Sequence, residues 1–305
     1  MKKGLKIALS IILTICILTA AVPSAVYYCR GNIKSVSLPD NFSQSLKNDC
    51  FDNESDVRIM SSNLLVHYKS WGGTPVKPRA KQYINLIDNY KPDVIDGWFC
   101  CINNNLPKGY KLLNSFTNGA FVRMTALIYN SDTLELIDCK SVAYEQKDNP
   151  RLRRIAWAVF EVKETGKRFA VTSTHLDLIR EGQEEELEAV MTSQASELSD
   201  FITSLESEYS CPVIAVGDYN TMEDTPYTKA VDIPKIYNSL AERYTDAKFS
   251  AENKVCGDSQ DWDYPSYDHI FISGNARSDT FALLSYNYLS DMSDHYPIFA
   301  DISIN

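Results

Sequence analysis

The chain has 305 residues, 44% hydrophobic and 23% charged, and 40 acidic against 30 basic side chains leave a formal charge of −10. That apolar content can fill a core, which excludes a disordered, collagen-like or coiled-coil protein. The acidic balance argues against gripping a polyanion through a broad basic surface, although a bound cation and a local basic patch would still suit a nuclease.

Lys2, Lys3 and Lys6 precede a dominantly apolar stretch over 7–22, and Pro23, Ser24 and Ala25 follow. Basic, apolar and then small is the order of a secretory signal. Apolar character resumes at Val26, Tyr27 and Tyr28, so a retained membrane anchor of about 20 residues is the second reading. Both readings place the body outside the cytoplasm, secreted or anchored to the cell membrane by residues 1–28. Without those residues 27 bases face 40 acids, a net charge of −13.

Residues 29–56 are polar and weakly patterned and read as a lead-in, with one folded domain over 57–305. Short runs rich in Val, Ile, Phe and Tyr, bounded by Gly, Pro, Asn or Asp, predict strands at 57–63, 93–99, 125–129, 155–162, 169–175, 212–217, 267–273, 281–286 and 298–304. The helical period predicts helices at 80–90, where Tyr83, Ile84, Ile87 and Tyr90 share a face, and at 184–205. Glu184, Glu185 and Glu186 suit the N-terminus of the second helix as a solvated face. Strand pairs between few helices indicate an α+β layered body rather than a doubly wound parallel sheet.

Of eight cysteines, Cys16 lies in the apolar run. The other seven could form one or two disulfides in an oxidising compartment or stand as buried thiols, and none has zinc-site spacing. Arg151, Arg153, Arg154, Lys163, Lys167 and Arg168 form a basic cluster that could meet a polyanion or lie along a solvated hairpin. Trp71, Trp98, Trp262, Tyr264 and Tyr267 could line a groove or pack in the core.

The residues able to do chemistry sit at strand ends. Thr174-His175-Leu176-Asp177 and Gly217-Asp218-Tyr219-Asn220 close two strands, Asp268-His269 opens a third, and Ser293-Asp294-His295-Tyr296-Pro297 precedes the last. Three of the four histidines are used there, and the fourth is His67. Loops at one end of a rigid sheet are where folds place reactive groups.

Together with Arg58-Ile59-Met60-Ser61-Ser62-Asn63 and Lys91-Pro92-Asp93-Val94-Ile95, these segments resemble in order the motifs of the endonuclease/exonuclease/phosphatase superfamily, the deoxyribonuclease-I-like fold. The resemblance implies a four-layered α/β sandwich of two mostly antiparallel sheets flanked by helices, and metal-assisted hydrolysis of a phosphate ester. By that resemblance Asp218 orients or deprotonates the attacking water, Asn220 donates to a phosphoryl oxygen, and His295 contacts the phosphate with Asp268 behind it. His175 is a second phosphate contact or a general acid. Asn63 and Asp294 supply oxygens for a hard cation, Mg²⁺ or else Mn²⁺ or Ca²⁺.

One departure matters. Where the family has Pro-Asp-Val-Ile-Gly-Leu-Gln-Glu, this chain has Pro92-Asp93-Val94-Ile95-Asp96-Gly97-Trp98-Phe99. Phe99 replaces the metal-binding Glu and cannot ligate a cation. Asp96, three residues away along a strand, is expected to face the opposite side unless a bulge at Gly97 turns it inward. Two functions therefore stand side by side. One is an exported phosphodiesterase, nuclease-like or sphingomyelinase-like, with a weakened cation site; its substrate is nucleic acid, phospholipid or a small phosphodiester, and a monomer is expected. The other is a catalytically impaired relative that binds a phosphorylated ligand or partner.

Overall fold

In the computed structural model, the structure describes residues 33–38, 54–65, 72–97, 102, 105–113, 125–145, 153–180, 182–229, 233–258 and 266–305. The N-terminal apolar segment, His67, Trp71, Trp98, Phe99, Arg151, Trp262 and Tyr264 lie outside them. Among the described residues no helix is long and apolar enough to cross a membrane.

The first sheet has seven strands in the order β10 (Asn253–Cys256), β12 (Ala276–Leu283), β13 (Ile298–Ile304), β1 (Val57–Ser61), β2 (Val94–Asp96), β4 (Leu127–Asn130) and β3 (Tyr110–Leu112). The second has six, in the order β5 (Leu134–Ala143), β6 (Arg154–Val162), β7 (Arg168–His175), β8 (Val213–Asp218), β11 (Asp268–Ile272) and β9 (Thr245–Asp246). Antiparallel pairings dominate, with parallel pairs at β1–β2, β7–β8 and β10–β12.

Because side chains alternate across a strand, each sheet feeds two cores. Ile59, Val94, Val171, Val216, Ile270 and Ala300 fill the space between the sheets. Met60, Ile95 and Phe299 face the other way, onto Tyr83, Ile87 and Tyr90 of helix α1 (Val76–Tyr90). On the far side Trp157, Val159, Val213 and Phe271 pack under Met191, Leu198 and Ile202 of helix α2 (Glu184–Tyr209) and Tyr237 of helix α3 (Pro234–Ala241). Helix, sheet, sheet and helix make the four layers. Burial on both faces explains why the central strands read as continuous apolar runs rather than alternating ones.

Several elements escape the sequence pattern. β5 is an edge strand with mixed charged and apolar residues, and an irregularity between Leu136 and Asp138 breaks its period. β3, β9 and β10 are four residues or shorter. β12 starts at Ala276, well before the expected 281, with a register shift between Ser278 and Thr280. Within the expected lead-in, Ile33–Ser35 form a 3₁₀ turn whose buried Ile33 packs in the outer core beside α1, and Lys81 Nζ donates to the carbonyl of Val36 at 2.6 Å.

Candidate active site

Strand register assembles the centre. β7 and β8 run parallel with His175 opposite Asp218, and β8 and β11 run antiparallel with Asp218 opposite Asp268. The three side chains therefore form one row across neighbouring strands and point to one face, the face toward the first sheet. Gly217 permits the close packing beside this row: its φ is +154°, and a Cβ there would lie 2.0 Å from the Thr174 carbonyl oxygen. On the facing sheet, β1 and β2 pair Ser61 with Asp96. Ser61, Asp96, Ser173, Asp218 and Asp268 are all buried.

His295 enters from the segment before β13, with Nδ1 2.5 Å from Asp268 Oδ2. Burial works against its charge, but Asp268, Asp218 and Asp294 outweigh that and raise its pKa to about 10, so the ring is an imidazolium at neutral pH. Asp218 is the opposite case. Burial pushes its pKa up, yet His175, His295 and donated hydrogen bonds bring it below the ordinary carboxylate value. Its Oδ2 accepts from Asn63 Nδ2 at 2.7 Å and faces His175 Nε2 at 3.4 Å, and its Oδ1 accepts the Asn220 backbone N–H at 3.0 Å. The His175 and His295 side chains are 21% and 18% exposed against 5% and 3% for Asp218 and Asp268, so an entering ligand meets imidazole edges first.

Two of the expected roles gain detail. Desolvation lowers the His175 pKa to about 4, with Arg153 and His295 adding to the effect against Asp218 and Asp177. The ring is neutral at pH 7 and fits a hydrogen-bonding contact rather than a charged acid. Asn220 sits in the left-handed region, φ +49°, and its Nδ2 donates to the Leu176 carbonyl at 2.9 Å, which leaves one amide hydrogen for a ligand.

Asp96 corrects the sequence expectation. Val94 faces the inter-sheet core, Ile95 the outer core, and Asp96 turns inward again to meet Ser61 and Ser173. Counting three residues back from 99 fails because β2 ends at Asp96 and Gly97 takes φ +119°, pressed so close to Ser62 that a Cβ would lie 2.0 Å from its carbonyl oxygen. The strand period stops before it can be carried to position 99.

Buried polar groups outside the motifs fix the surrounding loops. The Arg79 guanidinium donates to the carbonyls of Met292, at 2.6 Å, and Leu64, joining the segment after Asn63 to the one before Asp294. Ser293 Oγ reinforces that joint by donating to the Asn63 carbonyl at 2.5 Å. Arg153 faces Asp177 at 3.4 Å, and Gln194 of α2 binds the same carboxylate, so the loop after His175 is anchored to a helix. His269 Nδ1 faces Asp246 at 3.2 Å and Nε2 faces the Thr221 carbonyl at 3.0 Å. Both partners are acceptors, so this ring carries two protons and holds the loop that follows Asn220. Arg79 gives no sequence signal, since an arginine inside a helical period reads as a solvated face.

Among the described residues the basic cluster does not form one surface. Arg153 is buried, Arg154 donates to Ser141, Lys167 pairs with Asp56, and Arg168 pairs with Glu161. Of the expected groove aromatics, Tyr267 lies beside His295 with ring centroids 6.2 Å apart. Cys211 is buried, and Cys139 and Cys256 are partly buried.

The described residues do not compose a divalent-cation site. Asn63 Oδ1 already accepts the Leu65 N–H at 3.1 Å, Asp294 is exposed with its Oδ1 3.2 Å from Ser293 Oγ, and a phenylalanine side chain at position 99 has no atom that can ligate a cation. Among the described residues no cluster of three His, Cys, Asp or Glu side chains is arranged around a common ion position.

No protein-family model matches the chain and no curated protein matches it in sequence. Solved structures do. An endonuclease/exonuclease/phosphatase from Bacteroides vulgatus superposes with a TM-score of 0.64 at 18% identity, over 82% of this chain and 99% of that one. A mannosyl-6-phosphatase from Bacteroides thetaiotaomicron gives 0.64 at 17% identity, over 81% and 99%. The human Nocturnin catalytic domain with bound sulfate gives 0.58 at 19% identity, over 82% and 93%. The chain has the endonuclease/exonuclease/phosphatase, deoxyribonuclease-I-like fold.

Proposed function

We propose that the chain is an exported hydrolase of phosphate esters, acting on diesters in preference to monoesters. The observation that carries this reading is the facing arrangement of a buried carboxylate, Asp218, and a partly exposed imidazolium, His295, at one end of the inter-sheet space. His295 uses Nδ1 on Asp268 and leaves Nε2 for a non-bridging phosphate oxygen, where a fixed positive charge stabilises the charge of the transition state. Asn220 contributes its second amide hydrogen. Asp218, which accepts two hydrogen bonds and faces His175, orients the water in line with the leaving oxygen and takes its proton as the bond to phosphorus forms and the bond to the leaving oxygen breaks, that oxygen taking a proton from solvent. His175, neutral, keeps that carboxylate in place and meets the substrate edge.

Charge favours the diester. Asp218 and Asp268 bring two negative charges against one imidazolium, and a phosphodiester adds one negative charge where a monoester dianion adds two. The fold neighbours include a sugar-phosphate phosphatase and a domain with bound sulfate, which supports a site for a tetrahedral anion. The basic, apolar and small-residue order of residues 1–28 supports export, by cleavage or as an anchor.

Full-length protein assayed on bis-p-nitrophenyl phosphate, p-nitrophenyl phosphate, plasmid DNA and sphingomyelin, with and without Mg²⁺, Mn²⁺ or Ca²⁺, tests the reading. Turnover of a diester above the monoester supports it. No turnover of any ester, with saturable binding of inorganic phosphate, selects the second reading, an impaired relative that binds a phosphorylated ligand; Phe99 and the incomplete cation site favour that one.

A further inference from the structure

Four charged side chains that the reaction does not use lie buried together: Glu223, Asp246, Lys248 and His269. Lys248 Nζ donates to Glu223 Oε1, and His269 Nδ1 faces Asp246 Oδ2 at 3.2 Å. Asp246 is fixed as well by the Tyr237 hydroxyl at 3.0 Å and the Lys248 N–H at 2.8 Å. Two cations and two carboxylates balance, so the set is closed and needs no substrate as counter-charge. One bond leaves it toward the site. His269 Nε2 lies 3.0 Å from the carbonyl of Thr221, the residue after Asn220.

That bond reaches a stretch of backbone held against its preference. Asn220 has φ +49°, a left-handed conformation that asparagine tolerates and that persists only where its surroundings hold it. On one side its N–H is fixed by Asp218 Oδ1 at 3.0 Å. On the other, Thr221 is fixed twice, by the His269 ring at its carbonyl and by its own hydroxyl, which donates to the Ile233 carbonyl at 2.8 Å. The conformation sets Asn220 Nδ2 2.9 Å from the Leu176 carbonyl and so decides where the second amide hydrogen lies. Glu223 pins the same loop further along. Its Oε2 faces the Ser266 N–H at 3.4 Å, and Ser266 Oγ brackets Asp268, accepting its N–H at 3.1 Å and donating to its carbonyl at 3.0 Å.

We propose that His269 is a positioning residue that, through Thr221, holds Asn220 in the conformation from which its amide meets a phosphoryl oxygen. The ring joins two parts of the centre: its backbone directly follows Asp268, and its Nε2 ends one residue from Asn220. Tyr219, Tyr237 and Phe271 pack around the ring and keep it from turning away. Burial opposes its charge, but Asp246 and then Glu223 outweigh that and raise its pKa, in keeping with two acceptor partners. A histidine that served packing alone would need neither the carbonyl at one end nor a carboxylate fixed by two further donors at the other.

Two substitutions test the role because they keep opposite ends of the bridge. A glutamine amide stands as many bonds from the backbone as Nε2 and can still donate to Thr221, whereas an asparagine amide stands as far as Nδ1 and can donate only to Asp246. Proton–nitrogen correlation spectra of the full-length chain read the side-chain amide of Asn220, assigned by its loss in Asn220→Ala. His269→Gln keeps that pair of resonances at its wild-type positions, and His269→Asn displaces it. On bis-p-nitrophenyl phosphate His269→Gln loses less than about threefold in kcat and His269→Asn about tenfold or more. In an Asn220→Ala background His269→Asn costs nothing further, because the group it acts through is gone. Asn220 resonances unmoved in His269→Asn overturn the proposal, and so does an equal loss of kcat with and without Asn220, the result a merely structural histidine gives. Should His269→Asn not fold, displaced Asn220 resonances in His269→Gln overturn it instead. The kinetic arm rests on the phosphate-ester reading, but the NMR arm reads the amide whether or not the chain turns over an ester, so the two failures are distinguishable.

Discussion

His295 Nδ1 and Asp268 Oδ2 lie 2.5 Å apart, although the two residues belong to different sheets: Asp268 opens β11 in the second, and His295 stands just before β13 in the first. The contact ties the sheets together where the apolar core gives way to polar side chains. It also sets the charge of the one imidazole in the centre that is cationic at neutral pH.

Asp268→Asn removes the charge that holds the His295 proton. The account predicts that the His295 pKa falls from about 10 toward the ordinary imidazole value, and that kcat at pH 7.5 drops by about a hundredfold. Ring titration by NMR and a pH–rate profile of the variant check both effects.

His175 makes an acid limit. Its pKa in the folded chain is about 4, below the ordinary 6.5, so between those values the unfolded chain takes up a proton that the folded chain refuses. Stability is therefore fully present above about pH 6.5 and is lost as pH falls toward 4. With a fifth of the ring exposed, the loss is on the order of 1–2 kcal/mol, and His175→Gln should remove it. Denaturant unfolding of both proteins at pH 4.5 and pH 7 measures the difference.

Arg79 is buried at 1% exposure and holds two carbonyls that flank the site. Arg79→Met keeps the apolar stem but leaves those carbonyls without their donor, and a loss of about 2–4 kcal/mol is expected. Because Asn63 and Asp294 sit on the two joined segments, activity should fall further than the unfolded fraction explains. Arg79→Lys has one charged centre instead of a planar fork and should not restore it. Thermal unfolding and kcat measured on the same samples separate the two effects.

Much of this was legible in the sequence and some was not, for physical reasons. The central strands announced themselves because burial on both faces makes them continuous apolar runs. The site segments did so because His175, Asp218 and Asp268 lie at strand ends, and Asp294 and His295 just before β13. Register was hidden: nothing in the one-dimensional order says that His175, Asp218 and Asp268 share a row, since that depends on pairings among β7, β8 and β11. Asp96 is hard to place from sequence because the strand period cannot be carried through Gly97, whose backbone leaves the strand. Arg79 and Arg153 read as surface charges because an arginine buried against carbonyls or a carboxylate has the same letter as one in solvent.

The cation is the next test. With Phe99 in place of the expected Glu and Asn63 committed within the protein, Mg²⁺ binding measured by calorimetry should be too weak to saturate below millimolar concentrations. Phe99→Glu should tighten it by about tenfold or more. Tight Mg²⁺ binding by the unaltered chain would show that other residues supply the site.

Hydrolysis of a phosphate ester by Asp218 and His295 is read from the turnover of bis-p-nitrophenyl phosphate by the full-length chain beside Asp218→Ala and His295→Ala, each shown to be folded. Measurable release of p-nitrophenol by the unaltered chain is expected, with a fall of at least about a hundredfold in kcat for either variant. Turnover in the variants equal to that of the unaltered chain would contradict it.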